Sequence, residues 1–566
     1  MNIKDAFAHD GFTITGSCTI NGKTGYVAEN VNAINHLIGK PKKAYYLEGK
    51  ATDIGYQIGF LGHAEVKQMV AEFPFAVISG FLEPSMPEKD KRILVDIIMF
   101  LLKSSIYSFI DEIPFEYVQE AHGIVAGLYK ADPSARNIKF EDIWVMNVGI
   151  DILIAFMGNP GFLIEKIVET EEAKKNKITP KPEHFRYPHF CNAYSAFGGA
   201  SANPNTHFFG RDWMLNGGDV LENCAALMII KPSDNRRPIA VAAAPGLIGA
   251  ALAMNNDGIA MGVDLVPAAN GNTANPGFNS ILLVRHCIHR SGSASEAVEH
   301  MIKAQRGAPF IYAVSDGKNN RACIVEAGMK TDNLDPLSYA PAKLKSCLPD
   351  KAFLDKNAER PVSGLVARWN DYKQAEVFMN TYNPKLYQYF KKQFNPAVWG
   401  EKGFVFDTPF NNPNAFGFYY FSPERIKKND YIIATNQWIS PPMNICSMSE
   451  FVNVSNQKYW SDPQWRYDLI NEAILENYGK LDWEKAWNIV SILSPVGNGS
   501  GKGYYLLDSP WKLPVVKYKD RDGKEKSTWR VDGMTNLCEL RTEKKMRSLY
   551  GTYADNYVEI TLPNYL

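Results

Sequence analysis

The chain has 566 residues, 45% of them hydrophobic and 22% charged, the composition of a globular protein with more than enough material for one core. Lys plus Arg equals Asp plus Glu at 61 each, so the basic footprint selected by nucleic-acid backbones or anionic lipid surfaces is missing, and nucleic acid is not an expected partner. Eight cysteines are scattered without CxxC or other ligand spacing, which argues against a disulfide framework or a zinc ribbon and fits a reducing compartment.

The N-terminus, MNIKDAFAHDGFTITG, lacks a basic flank followed by an apolar run, so the sequence as it stands reads as cytoplasmic; a removed signal peptide would make it secreted or periplasmic. From Glu88 to about Gly158 apolar residues recur at three and four spacing, which predicts helices after a mixed start. The most apolar stretch, Ile93 to Ile110, is interrupted by Asp96, Lys103 and serines, and reads as a buried helix rather than a membrane span of ~20 residues. Between Glu165 and His189 the composition turns to Lys, Glu and Pro and predicts an exposed linker.

Strand-like runs come next at Asn192–Phe197, His207–Arg211, Ala225–Ile230, Ile239–Ala243, Ile259–Val266 and Phe310–Val314, separated by turn residues, as in antiparallel sheet. Helices are predicted from Asn279 to Arg290 and from Ser295 to Lys303. The aromatic and proline-containing stretch from about 330 to 429 is too long for a bare loop and reads as an inserted subdomain or lid. A strand at Tyr431–Thr435, helices beginning near Pro463 and Asp482, and C-terminal strands complete the chain. The organisation expected is therefore a mostly helical segment, 1–190, and a sheet-rich domain, 191–566, carrying the insertion.

Cys191 opens the first strand after the linker. Cleavage of that linker before Cys191 would give the cysteine a free α-amine with a pKa of ~7.7 to 8.0, so one residue would supply both nucleophile and base. The competing reading is an ordinary buried cysteine. Twenty residues on, HFFGRDWM places Arg211 and Asp212 on a strand able to pair with the cysteine strand. Arg211 beside the sulfur would favour thiolate and Asp212 could hold the amine, unless the two form only a surface salt bridge.

Other signals carry less. GNGSGKG at 497–503 lacks the first glycine and the Ser or Thr of a phosphate loop, with Val496 and Gly503 in their places. His286, Cys287 and His289 share one helix without further ligands, and KDRDGKEK at 519–526 lacks the acidic end of a calcium loop and reads as a charged hairpin turn. No Gly-x-Ser-x-Gly elbow is present, and neither metal nor cofactor is expected.

LEGKATDIGYQIG (47–59) and EIPFEYVQEAHGIVAGL (112–128) before Cys191, and GRDW (210–213), AMNNDGIAMGVDLV (253–266), YIIATNQW (431–438) and DPQWRYDLI (462–470) after it, together resemble the penicillin acyltransferase-like cysteine members of the N-terminal nucleophile hydrolases. That family is related to choloylglycine hydrolases, penicillin V acylases and acid ceramidases. The resemblance implies an α+β fold, a four-layer αββα sandwich with a helical pro-segment and an inserted subdomain. It implies Cys191 as nucleophile, Arg211 as neighbouring cation, Asn436 as oxyanion or amine-binding group and Arg466 as a second cation. Relatives show Gly-Arg-Asn-x-Asp-Trp where this chain has Gly-Arg-Asp-Trp, which bears on Asp212. At the strand position where relatives carry Asn or Tyr for the oxyanion, this chain has Asp264, so a backbone amide or Asp264 itself serves; Asn255 is the other candidate for substrate or oxyanion contact.

The implied mechanism is attack of the Cys191 sulfur on the Phe190 carbonyl, an N-to-S acyl shift and hydrolysis, giving fragments of 190 and 376 residues. The mature thiol would then cleave a linear N-acyl amide and pass the acyl group to water or an amine. The substrate expected is a small N-acyl or lipid-like molecule. The alternatives are a phospholipase B-like acyl-ester hydrolase, and an unprocessed binding protein with an intact chain and an unreactive Cys191.

Overall fold

A computed structural model describes residues 1–83, 85–185, 191–214, 220–373, 376–393, 428–447, 462–492, 515–519, 523–529, 531 and 533–566. Its strands are β1 (Thr13–Ile20), β2 (Lys23–Asn35), β3 (Lys40–Gly49), β4 (Asn192–Phe197), β5 (His207–Trp213), β6 (Ala226–Pro232), β7 (Ile239–Ala243), β8 (Leu252–Asn255), β9 (Ile259–Leu265), β10 (Phe310–Asp316), β11 (Arg321–Ala327), β12 (Leu365–Trp369), β13 (Tyr431–Thr435), β14 (Val515–Lys519), β15 (Glu525–Trp529), β16 (Met534–Glu539), β17 (Lys545–Leu549) and β18 (Val558–Thr561). The helices that position the site are α1 (Ala51–Leu61), α2 (His63–Gly80), α3 (Glu88–Ser105), α4 (Phe115–Ala131), α5 (Phe140–Met157), α6 (Ser280–Arg290), α7 (Ala294–Lys303), α8 (Asp462–Glu476) and α9 (Trp483–Val490).

Two sheets dominate this mixed α+β molecule. One has ten strands in the order β1-β2-β3-β6-β7-β8-β9-β10-β11-β12, and the other six, β13-β4-β5-β16-β17-β18. Pairing is antiparallel throughout except at β3–β6, where a parallel ladder joins the N-terminal strands to the rest. The sheets face each other through β4 against β10, β5 against β9 and β11 against β13. Outside, α1 lies on β1 to β3 and α6 and α7 on β8 to β11, while α8 and α9 cover β13, β4, β5 and β16.

Strand alternation sorts the side chains between these layers. On β4, Ala193 and Phe197 enter the main core between the sheets, whereas Tyr194 and Ala196 enter a second core beneath α8 and α9. The glycines of the two N-terminal motifs have a packing reason. A Cβ on Gly59 would sit 2.1 Å from Ile124 O, and one on Gly127 2.1 Å from Tyr56 O, so α1 and α4 approach backbone to backbone.

Three regions differ from the sequence-based expectation. Residues before Glu88 hold β1, β2 and β3, full members of the large sheet, so the N-terminal part is not simply a helical appendage. Residues 165–185 carry helical turns at Pro160–Glu169 and Glu171–Asn176 instead of a bare linker, because Leu163, Ile167 and Ala173 reach the core while the charges face out. Within 330–429, β12 extends the ten-stranded sheet, and 394–427 lies outside the described residues. Among the described residues no helix is long and apolar enough to cross a membrane.

Candidate active site

Strand register brings the site together. Thr435 on β13 pairs with Asn192 on β4, so one step beyond the ladder Asn436 faces Cys191. Its side-chain Oδ1 accepts from the Cys191 backbone N at 2.9 Å, and its Nδ2 donates to Leu265 O at 2.5 Å. Arg466, fully buried on α8, donates from Nη1 to Cys191 O at 2.5 Å and from Nη2 to Asn436 Oδ1 at 2.8 Å. Both backbone polar groups of Cys191 are thus clamped, one by an amide and one by a guanidinium. Such charge-assisted contacts are stronger than neutral ones.

Arg211 reaches the same point from β5. Ala193 pairs with Arg211, which puts Arg211 and Cys191, two residues before Ala193, on the same inner face of the sheet. Its Nη2 donates to Val263 O and lies 3.0 Å from Asp264 Oδ1 on β9, with both side chains buried. The contact with Asp264 is an ion pair between two buried groups. Among the described residues, Arg211 Nε and Nη1 and both Asp264 oxygens are buried without a hydrogen-bond partner. Gly262 makes room for this, since a Cβ there would lie 2.4 Å from Arg211 Cδ.

Burial pushes the Cys191 thiol up to about 11; Arg211 pulls it down, Asp264 pushes it further up, and the Met214 backbone and Arg466 pull it down. Arg211 therefore acts in the expected direction but is outweighed by desolvation, and the thiol is neutral near pH 7. Burial also raises the Asp264 carboxyl to about 6, against the pull of Arg211 and Arg466. A neutral buried thiol needs a base before it attacks a carbonyl.

Cys191 opens on an apolar cavity that is partly open to solvent. One wall is helical, with Phe73 and Val77 on α2, Met99 and Leu102 on α3, and Val145 and Gly149 on α5; the other includes Trp213, Met214, Val263 and Leu265. The helical wall precedes Cys191 in sequence yet is fastened to residues beyond it. Asp151 on α5 accepts from Ser280 N at 2.7 Å, Ser280 Oγ at 2.8 Å and Asn279 Nδ2 at 2.8 Å, and Glu120 and Arg285 form a buried two-pronged pair at 2.8 Å. Asn147 holds the 246–249 loop, accepting from Ile248 N at 2.7 Å.

Two candidate residues stand elsewhere. Asp212 comes after Arg211 on β5 and so points to the opposite face, toward the helix layer, where its Oδ1 accepts from Thr535 Oγ1 at 2.8 Å; the Cys191 nitrogen is held by Asn436 instead. Asn255 sits at the far end of the β8–β9 hairpin from Leu265. Its amide donates to Ile288 O and Ser291 O at 2.8 Å, and its Oδ1 accepts from Asp257 N and Ile259 N at 3.0 Å, so it is a turn staple. Phe190 lies outside the described residues. His289 is bound to Arg237 O and Cys287 to Ala297 O, so that helix presents no ligand set. Sequence reasoning misses the cavity-lining helices, whose apolar faces look like any core, and Glu326, the charged residue in the buried strand RACIVEA.

No known family model matches the chain. It is 25% identical, over 96% of its own length and 68% of the relative's, to an uncharacterised protein of Archaeoglobus fulgidus. Among solved structures, a mutant conjugated bile acid hydrolase of Clostridium perfringens is similar over 67% of this chain and 94% of that one, at 9% identity and TM-score 0.31. A penicillin V acylase of Agrobacterium tumefaciens is similar over 66% and 86%, at 12% identity and TM-score 0.31.

Proposed function

We propose that this chain is an autoprocessing cysteine N-terminal nucleophile amidase or acyltransferase that acts on linear N-acyl amides with an apolar acyl group. The observation that carries the reading is Cys191, clamped through its backbone by Asn436 and Arg466 and opening on an apolar cavity, directly after the segment 186–190. The stacking of helices, two facing sheets and helices supports the four-layer sandwich of that family.

In this reading the sulfur attacks the Phe190 carbonyl, the acyl group moves from nitrogen to sulfur and frees the Cys191 α-amine, and water then hydrolyses the thioester to release the thiol and the Phe190 carboxylate. Asn436 Oδ1, which already accepts from that nitrogen, would then hold the amine in place, the role that the sequence suggests for Asp212. The amine takes the thiol proton, which suits a thiol that burial keeps neutral, and returns it to the leaving group. Arg211 and Arg466 supply positive charge where the oxyanion develops. Asp264 contacts substrate or, protonated, donates to the oxyanion. The two fragments would stay together, because the β3–β6 ladder and the Asp151, Asn147 and Glu120 contacts cross the cleavage point.

Intact-mass spectrometry of wild type and Cys191→Ala is the direct test. Wild type should give fragments of 190 and 376 residues that co-elute on gel filtration, and the variant should remain whole. An intact, inactive wild type would instead support the binding-protein reading. Cys191-dependent turnover of acyl esters but not of amides would support the lipid ester hydrolase.

A further inference from the structure

Glu326 lies on β11 in the opposite sheet from β13, fully buried, and it collects donors from the residues just beyond Asn436. Its Oε1 accepts from Ile439 N at 2.7 Å, its Oε2 accepts from Ser440 N at 3.0 Å and from the Ser440 hydroxyl, and Arg368 on β12 donates from Nε to Oε1 at 2.7 Å. Trp438 O in the same segment accepts from Asn444 Nδ2 at 2.7 Å. Asn436 leaves the β13 ladder at Thr435 and is three residues from Ile439, so its amide is held between a ladder on one side and a carboxylate anchor on the other.

We propose that Glu326, neutralised by Arg368, is a positioning residue: it fixes the 436–440 segment so that the Asn436 amide meets the Cys191 nitrogen and Arg466 together. The chemistry favours an anchor over a generic core contact. A buried charge is retained only where it is paired and fully hydrogen-bonded, and Glu326 spends its acceptors on backbone amides and a hydroxyl of this one segment. The Asn436 Oδ1 in turn serves two donors, at 2.9 and 2.8 Å, an arrangement that a small displacement of the segment would break. Arg368 pairs with the carboxylate from the neighbouring strand, both side chains buried. It stands beside Glu326 in the ten-stranded sheet, so the pair fastens that sheet to the end of β13 in the other.

The inference rests on Cys191 as the reactive centre, and iodoacetamide tests it without requiring amidase activity. The rate of Cys191 carbamidomethylation, read by peptide mass spectrometry, is compared in wild type, Asn436→Ala, the charge-neutral pair Glu326→Gln with Arg368→Met, and the three together. Loosening the clamp should speed alkylation of the buried thiol by about fivefold or more in both partial variants, with no further gain in the combination, because residues that act through one another are not additive. Ser440→Ala, which removes one donor and keeps the charges, should give a smaller gain of about twofold if the pair variant fails to fold. Rates unchanged by the Glu326 or Ser440 variants, or effects that multiply in the combination, would overturn the proposal. An absence of amide turnover in the wild type, with this alkylation pattern intact, would count against the amidase reading alone.

Discussion

The two walls of the cavity are built on opposite principles. The helical wall, from α2, α3 and α5, is apolar toward the cavity, and its polar residues Asn147 and Asp151 point away into hydrogen bonds with the later part of the chain. The sheet wall is lined by Cys191, Trp213, Met214, Val263 and Leu265, and the charged and polar side chains of Arg211, Asp264, Asn436 and Arg466 gather next to Cys191, Arg211 paired with Asp264 and Arg466 bonded to Asn436. Folding alone favours satisfying every buried polar group. The polar residues of the helical wall are bonded away from the cavity, whereas Arg211 and Asp264 pair with each other and Arg211 Nε and Nη1 stay without a hydrogen-bond partner among the described residues.

That contrast predicts that the sheet wall sets rate and the helical wall sets acyl preference. Arg466→Met should have the largest effect: loss of the contacts to Cys191 O and Asn436 Oδ1 should lower kcat on an amide probe by about a thousandfold, the scale of removing a preorganised charge from a reacting centre. A loss confined to KM would break the division. Next comes Gly149→Leu on α5, where a Cβ would already stand 3.2 Å from Val145 Cγ2 and 3.4 Å from Leu102 Cδ1 and the remaining atoms would enter the cavity. Across p-nitrophenyl esters from butyrate to palmitate it should cut kcat/KM for the longest chain by about a hundredfold and leave the shortest within about threefold, as expected when overpacking closes volume without touching polar groups.

The smallest effect sharpens the picture of the sheet wall. Asp264 as a carboxylate pushes the Cys191 thiol up, so Asp264→Asn should lower the thiol pKa and raise the thiolate fraction below it. Alkylation by iodoacetamide at pH 7 should then run about tenfold faster, and the variant's pH profile should lack the inflection that Asp264, titrating at about 6, gives the wild type. A profile identical in the two proteins would mean that Asp264 does not act on the sulfur.

Much of the site is readable in the residues themselves. The break in composition before Cys191, the GRDW strand and the TNQW run each name a residue that the register then brings to one point; β4 and β5 pair as neighbours in sequence, whereas β13 reaches β4 from far along the chain. The roles of Asp212 and Asn255 are not readable. Asp212 is one residue from Arg211, and the period of two sends it to the other face; Asn255 has the composition of a ligand-binding amide, and only the surrounding carbonyls and amides show it to be saturated. The N-terminal strands escape notice because β1, although it alternates, is shallowly buried and β2 is interrupted by a register shift between Asn30 and Ile34.

The sequence by itself determined which residues are candidates for the site, Cys191, Arg211, Asn436 and Arg466 among them, and the order in which most strands and helices succeed one another, since these depend on side-chain type and short-range periodicity. Tertiary structure alone decided that the first 185 residues share a sheet with the rest, that three of their helices form one wall of the apolar cavity beside Cys191, and that Glu326 reaches across to the segment holding Asn436. Those outcomes rest on contacts between residues far apart in the chain. A buried charge or an apolar helix face looks the same in sequence whatever it packs against, and only the packed partner gives it a role.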